Sequence, residues 1–121
     1  YIEQKLKELV KKEQLADKII FLGYRKDIQS LLSIMDLVIL TSEKEGMPPR
    51  ILMETMASKK PVVATSAQGN KMLIKNNETG LLVKYNDVTA LSNSVEVFIK
   101  EPNKGVQFGK SGRLYLENLL S

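Results

Sequence analysis

An α/β fold, a parallel sheet with helices on both faces, is predicted by three features of this 121-residue sequence. Short apolar runs rich in β-branched residues alternate with stretches of helical periodicity. The links between them are brief, as in βαβ units. Runs such as "LVIL" and "PVVAT" are apolar throughout, the pattern of strands covered on both sides.

Each element follows in order. Residues 1–15 read as an amphipathic helix, with Ile2, Leu6, Leu9 and Val10 on one stripe and Glu3/Lys7 and Glu8/Lys12 as i,i+4 pairs opposite. "KIIFLG", Lys18 to Gly23, is an apolar run closed by Gly and is expected to be a buried strand. A helix from about Asp27 to Met35 follows, with Asp27 able to cap it, and "LVIL", Leu37 to Leu40, is the next buried strand. Pro48 or Pro49 stands where a helix can begin; "RILMETMA" is apolar around most of its circumference, and "PVVAT", Pro61 to Thr65, is the third strand. A short helix after Gln68-Gly69 runs to about Lys75, a turn spans Asn76 to Gly80, and "LLV", Leu81 to Val83, is a brief strand. Asp87 caps a helix to about Lys100, which "PNKG" breaks before a last helical segment reaching Leu120.

Composition bounds the chemistry. With 43% hydrophobic residues, the 121 residues make one domain, 1–121, with a modest core. The absence of Cys excludes disulfides, thiolate nucleophiles and Cys metal sites, and fits a reducing, cytoplasmic compartment. The absence of His removes the commonest general base and metal ligand, leaving carboxylates, Lys, Arg, Tyr, hydroxyls and backbone amides. No apolar run approaches the roughly 20 residues of a spanning helix. The net charge of +4 suits contact with phosphates or an anionic membrane surface. Lys5, Lys7, Lys11 and Lys12 have no interleaved aromatics, so they read as a solvated helix face rather than a nucleic-acid stripe. The chain opens at Tyr1 inside a helical pattern and is expected to be a piece of something longer.

In an open parallel sheet, ligands bind beyond the carboxyl ends of the strands, where helix amino ends point free N–H groups outward. "LVILTSEKEGMPPR" is such a corner, with Glu45 and Gly46 in the loop and a helix starting near Pro49. Glu54 sits among Ile51, Leu52, Met53, Met56 and Ala57, so it must face a cleft or meet a polar partner.

"SEKEGMPPRILMETMASKKPVVAT", Ser42 to Thr65, resembles the donor-binding half of the retaining glycosyltransferases of group 1, which include glycogen synthases, sucrose synthases and bacterial lipid-sugar transferases. Ser42, Glu45, Gly46, Glu54, Met56, Ala57 and Pro61 to Thr65 carry the likeness. "IIFLGYRKDIQSLLSIMDLVIL", "NNETGLLV", "DVTALSNSV" and "FGKSGRLYLENLLS" extend it over nearly the whole chain. The resemblance implies the C-terminal Rossmann-like half of a two-domain GT-B enzyme. It implies transfer of a hexosyl group from a nucleotide-diphosphate sugar, with retention and without a metal or other cofactor. The acceptor, a glycan or lipid, would be held by an N-terminal domain, and the fragment alone would be inactive.

The same resemblance implies roles. Glu45 would contact hydroxyls of the donor hexose, as the catalytic carboxylate. Glu54 would accept from both ribose hydroxyls, as a bidentate acceptor can. Backbone N–H groups around Gly46 and Met47 would face the phosphates or sugar, and Tyr24 and Arg25 would lie near the base. Three departures stand out. Eight residues separate Glu45 from Glu54 where relatives have seven, the extra one falling in Pro48-Pro49, whose prolines remove two N–H donors from that turn. "SAQGNKML" places Met72 where relatives often have Glu. The basic pair that grips the diphosphate, with the first two strands, would lie upstream of Tyr1.

In the usual strand order 3-2-1-4-5-6, those two strands would separate the strand at Ile19 from the one at Leu37. A sheet left with exposed edges is expected to be unstable, domain-swapped or completed by partner strands. Against these readings stand plainer ones. Glu54 could simply pair with Arg50 or Lys59 on the helix surface, Tyr24 and Arg25 could form an ordinary exposed loop, and Met47, Met53, Met56 and Met72 could be packing residues. "GVQFGKS" is no phosphate-binding loop, having three residues between its glycines instead of four and no strand before it. A non-catalytic nucleotide- or protein-binding module of the same fold is the alternative function. A sugar-nucleotide epimerase is disfavoured by the missing His. Peripheral membrane contact is left open by the sequence.

Overall fold

The computed structural model describes residues 2–121. Nine elements follow one another: α1 (Ile2–Lys12), α2 (Ile28–Ile34), β1 (Val38–Leu40), α3 (Arg50–Ala57), β2 (Val62–Thr65), α4 (Gln68–Leu73), β3 (Leu81–Val83), α5 (Val88–Lys100) and α6 (Pro102–Leu120). The three strands form one parallel sheet in the order β1-β2-β3. Val38 to Leu40 stand beside Val62 to Ala64, and Val63 to Thr65 beside Leu81 to Val83.

The central strand β2 is buried at every position, which is why "PVVAT" carries no polar alternation. Successive side chains of a strand point to opposite faces, and the core divides accordingly. Val62 and Ala64 pack on one face with Leu52 and Met56 of α3, Leu73, Ile74 and Leu116 of α6. Val63 packs on the other with Val83, Phe98 of α5 and Phe108 of α6. Phe98 and Phe108 meet edge to face, with ring centroids 5.4 Å apart, the geometry favoured by aromatic quadrupoles.

Helix α6 thus contributes to both faces, and it does so by passing the amino end of β2. Gly109 lies against the backbone of Lys59 and Lys60 so closely that a Cβ would collide with the Lys59 carbonyl. Gly112 approaches Thr79 and Met56 in the same way, at ordinary contact distance. The glycines of "GVQFGKSG" are therefore a helix-packing stripe, in keeping with the rejected phosphate loop.

Four expectations are corrected. Lys18 to Gly23 is not a strand. Ile19, Ile20 and Leu22 are 40%, 82% and 44% exposed, and none of the segment joins the sheet. An apolar run becomes a buried strand only where a neighbour satisfies its backbone groups and covers its sides. No such neighbour exists among the described residues, and the segment does not pair beside β1, as the predicted strand order requires. Second, Asp27 occupies the N-cap position of α2 without a side-chain cap bond; its carboxylate is taken by Arg25. Third, the expected break between the last two helices is present but falls at Glu101, and "PNKG" is the first turn of α6, with Pro102 at its start, where a missing N–H costs nothing. Fourth, α1 ends at Lys12 with no buried residue, and among the described residues its Glu3/Lys7 and Glu8/Lys12 pairs do not close; Lys7 Nζ instead stands 5.7 Å from the centre of the Phe21 ring. Tyr1, the first residue of the expected helix, lies outside the described residues.

Candidate functional site

Three of the predicted site residues come together. Tyr24 and Arg25, just before α2, and Glu54, on α3, line a single open cleft of about 780 Å³ with Gly23, Lys26, Asp27, Gln29 and Arg50. Gly23 has φ +67°, a left-handed conformation that Gly adopts without steric cost, and it turns the chain from the apolar segment into the cleft wall. Tyr24 is 88% exposed, with its ring free at the rim.

Four charged groups of this cleft, Arg25, Asp27, Arg50 and Glu54, are paired locally. Arg25 Nε donates to Asp27 Oδ1 at 2.8 Å, and its Nη2 engages the other carboxylate oxygen. The hydrogen bond from Arg25 holds the Asp27 carboxyl below its ordinary value and, reciprocally, pushes the guanidinium up. Arg50 Nε lies 3.5 Å from Glu54 Oε1, one helical turn away. The plainer reading of Glu54 as an ion-pair partner is thus realised for Arg50, and the same carboxylate still borders the cleft.

Glu45, Gly46 and Met47 do not line this cleft. They belong to the loop between β1 and α3, where Met47 is 70% exposed, so neither it nor the exposed Met72 is a packing residue; Met56 is. The helix α3 begins after Pro49, which occupies the N-cap position in extended conformation, matching the predicted start. The loop rests on the next βα corner: Thr65 Oγ1 donates to the Ser42 carbonyl at 2.6 Å, and the Gly69 amide donates to the Glu45 carbonyl. Sequence reading missed Thr65, Gly69 and Asn70 here, because a hydroxyl or glycine serving another loop leaves no local pattern.

Two further clefts flank the sheet. A small one of about 240 Å³ lies at the strands' carboxyl ends, bordered by Thr41, Thr65, Val83 and Tyr85. At the opposite, amino end, an apolar cleft of about 610 Å³ lies between Leu37, Pro61, Phe98 and Val106 with Lys59, Lys60 and Lys110 at its edge; it holds none of the predicted residues. Among the described residues no group of His, Cys, Asp or Glu could hold a metal, and no helix is long and apolar enough to cross a membrane.

Residues 2–115 match the family of group 1 glycosyl transferases. The chain belongs to that family. Among curated relatives it is 29% identical over 112 residues to a putative glycosyltransferase, EpsD, of Bacillus subtilis (strain 168), covering 93% of this chain and 29% of the relative. It is 30% identical over 106 residues to the N-acetyl-alpha-D-glucosaminyl L-malate synthase of Bacillus anthracis, covering 88% of this chain and 28% of the synthase. Among solved structures, Anabaena Alr3699/HepE in complex with UDP-glucose superposes with a TM-score of 0.89 at 27% identity, over 95% of this chain and 32% of that one. The C-terminal domain of a group 1 family protein (LpcC) from Francisella tularensis shares the fold, with a TM-score of 0.85 at 24% identity, over 99% of this chain and 63% of that one. This glycosyltransferase family chain spans less than a third of the length of the curated relatives named, and its parallel sheet is that of the C-terminal, GT-B type half.

Proposed function

We propose that this chain is the donor-binding half of a retaining hexosyltransferase that uses a nucleotide-diphosphate sugar. The observation that carries the reading is the cleft in which Tyr24 and Arg25 meet Glu54, residues remote in sequence, beside the amino end of α3. In this reading Glu54 accepts from the two ribose hydroxyls, with Arg50 holding one of its oxygens from the side. Tyr24 and Arg25 border the base. The loop carrying Glu45, Gly46 and Met47 meets the hexose, with Glu45 on its hydroxyls.

The reaction breaks the bond between the sugar C1 and the diphosphate oxygen and forms one between C1 and an acceptor hydroxyl on the same face, the hydroxyl proton leaving to solvent or phosphate. Positioning and stabilisation of the leaving phosphates supply most of the acceleration, and no metal is needed. The acceptor, a glycan or lipid, binds a preceding N-terminal domain, and the enzyme works in the cytoplasm. HepE, whose complex contains UDP-glucose, supports a uridine nucleotide as the first donor to test.

Calorimetric titration of the full-length protein with UDP, GDP and ADP tests this. One nucleotide is expected to bind preferentially, and Glu54→Ala to weaken it by roughly ten- to a hundredfold, as loss of hydrogen bonds to a charged acceptor does. A folded wild-type protein that binds none of the three would overturn the reading.

A further inference from the structure

The loop that carries Glu45 has no secondary structure of its own, and Gly46 and Met47 within it are exposed. Its shape is nevertheless held at two points by the adjoining βα corner. At one end Thr65, at the carboxyl terminus of β2 and only 4% exposed, donates its hydroxyl to the Ser42 carbonyl at 2.6 Å. Nearer the tip, the Gly69 amide donates to the Glu45 carbonyl. The approach there is so close that a Cβ on Gly69 would strike the Met47 carbonyl and stand 2.8 Å from the Glu45 carbonyl oxygen. Gly46 differs: a Cβ there would meet nothing within 4 Å. The steric need for glycine is therefore at position 69, across from the loop rather than in it.

Behind this contact, Asn70 is fully buried and donates its Nδ2 to the Thr65 carbonyl at 2.9 Å. That bond ties the start of α4, beside Gly69, to the end of β2 at Thr65, so the two anchors of the loop are joined to each other. Among the described residues, the Asn70 Oδ1 has no partner. Leaving a buried acceptor unpaired is costly, and the cost is tolerated here alongside the tether made by the other end of the same amide.

We propose that Gly69 and Thr65, braced by Asn70, are positioning residues that seat the donor-sugar loop and so place Glu45. This rests on the donor-binding reading above and adds to it the device that sets the loop. Displacement of a catalytic group by about 1 Å can cost on the order of a hundredfold in rate, so a methyl group that pushes the loop outward acts on the sugar and not on the nucleotide cleft of Tyr24, Arg25 and Glu54.

The test uses the full-length protein with UDP and UDP-glucose as probes. Gly69→Ala and Thr65→Val are expected to leave UDP affinity within twofold while lowering UDP-glucose affinity at least tenfold, and Thr65→Ser, which keeps the hydroxyl, to restore it. In the ligand-free protein, amide exchange at position 69 is expected to quicken at least tenfold in Thr65→Val and to stay at the wild-type rate in Thr65→Ser. Equal losses for UDP and UDP-glucose, or unchanged exchange and an unchanged affinity ratio, would overturn the positioning role alone. A folded wild-type protein that binds neither these probes nor GDP or ADP would overturn the donor reading, and this proposal with it; where GDP or ADP binds instead, the same comparison is made with that nucleotide and its glucose conjugate.

Discussion

Arg50 and Glu54 lie one turn apart on α3, with Nε 3.5 Å from Oε1, and the arginine side chain is 90% exposed where the carboxylate is 24%. An exposed helical pair of this kind contributes about 0.3–0.5 kcal/mol. Arg50→Ala is therefore expected to change the urea unfolding free energy by no more than about 0.5 kcal/mol. Glu54→Gln, which keeps the shape and removes the charge, is expected to leave stability similarly untouched while weakening the nucleotide by roughly tenfold, since hydrogen bonds to a neutral acceptor are about half as strong. A Glu54→Gln protein that loses stability but keeps its affinity would make the carboxylate a structural ion-pair partner only.

The Arg25–Asp27 pair makes a prediction about pH. The hydrogen bond from Arg25 lowers the Asp27 pKa from its ordinary 3.8, so the carboxylate form is favoured in the folded state. A depressed carboxyl contributes stability above the unfolded pKa and loses it as pH falls through the folded one. The stability difference between wild type and Asp27→Asn is expected to be constant above about pH 5 and to shrink as pH falls below 4. Chemical denaturation across that range measures it, and a difference that does not vary with pH would show that the pair does not couple to folding. The effect is small, because both groups face solvent and are screened.

Much of this architecture could be read from the chain. The strands at Val38, Val62 and Leu81, the helix after Pro49 and the cap at Asp87 all follow from local chemistry: apolar runs, a proline that begins a helix, a carboxylate before one. What failed depended on neighbours. Lys18 to Gly23 has strand composition, but strand formation needs a partner ladder that no local pattern encodes. Asp27 has a capping residue's identity and position, but its carboxylate is claimed by Arg25, two residues away. Of the candidate site, the meeting of Tyr24, Arg25 and Glu54 in one cleft was legible because a family motif links distant segments. Gly69 was not, because its steric requirement comes from a loop more than twenty residues earlier.

The same logic separates two glycines of α6. At Gly109 a Cβ would collide with the Lys59 backbone, whereas at Gly105 it would stand 3.4 Å from a Pro61 ring carbon. Overpacking against backbone typically costs about 1–3 kcal/mol, while Gly→Ala in a helix interior gains up to about 1 kcal/mol where space allows. Gly109→Ala is expected to destabilise by at least about 1 kcal/mol in urea unfolding, with Gly105→Ala neutral or stabilising. Equal stability of the two variants would mean that α6 does not press on the β2 corner as described.

The cap of α5 offers the simplest energetic check. Asp87 Oδ1 accepts from the Ala90 amide at 3.0 Å, satisfying one of the amides that the first turn of a helix leaves free. Truncation to Ala removes that acceptor and a negative charge beside the positive end of the helix dipole. Asp87→Ala is expected to cost about 1 kcal/mol and Asp87→Ser or Asp87→Asn only a few tenths, because either side chain can still accept from Ala90. Asp87 also borders the small cleft at the strands' carboxyl ends, so the three variants would be compared in nucleotide affinity as well. If all three lose affinity in proportion to lost negative charge and not to lost stability, then Asp87 contributes to the site through its charge; loss in the order of stability means that the cap acts only by holding α5 on the sheet.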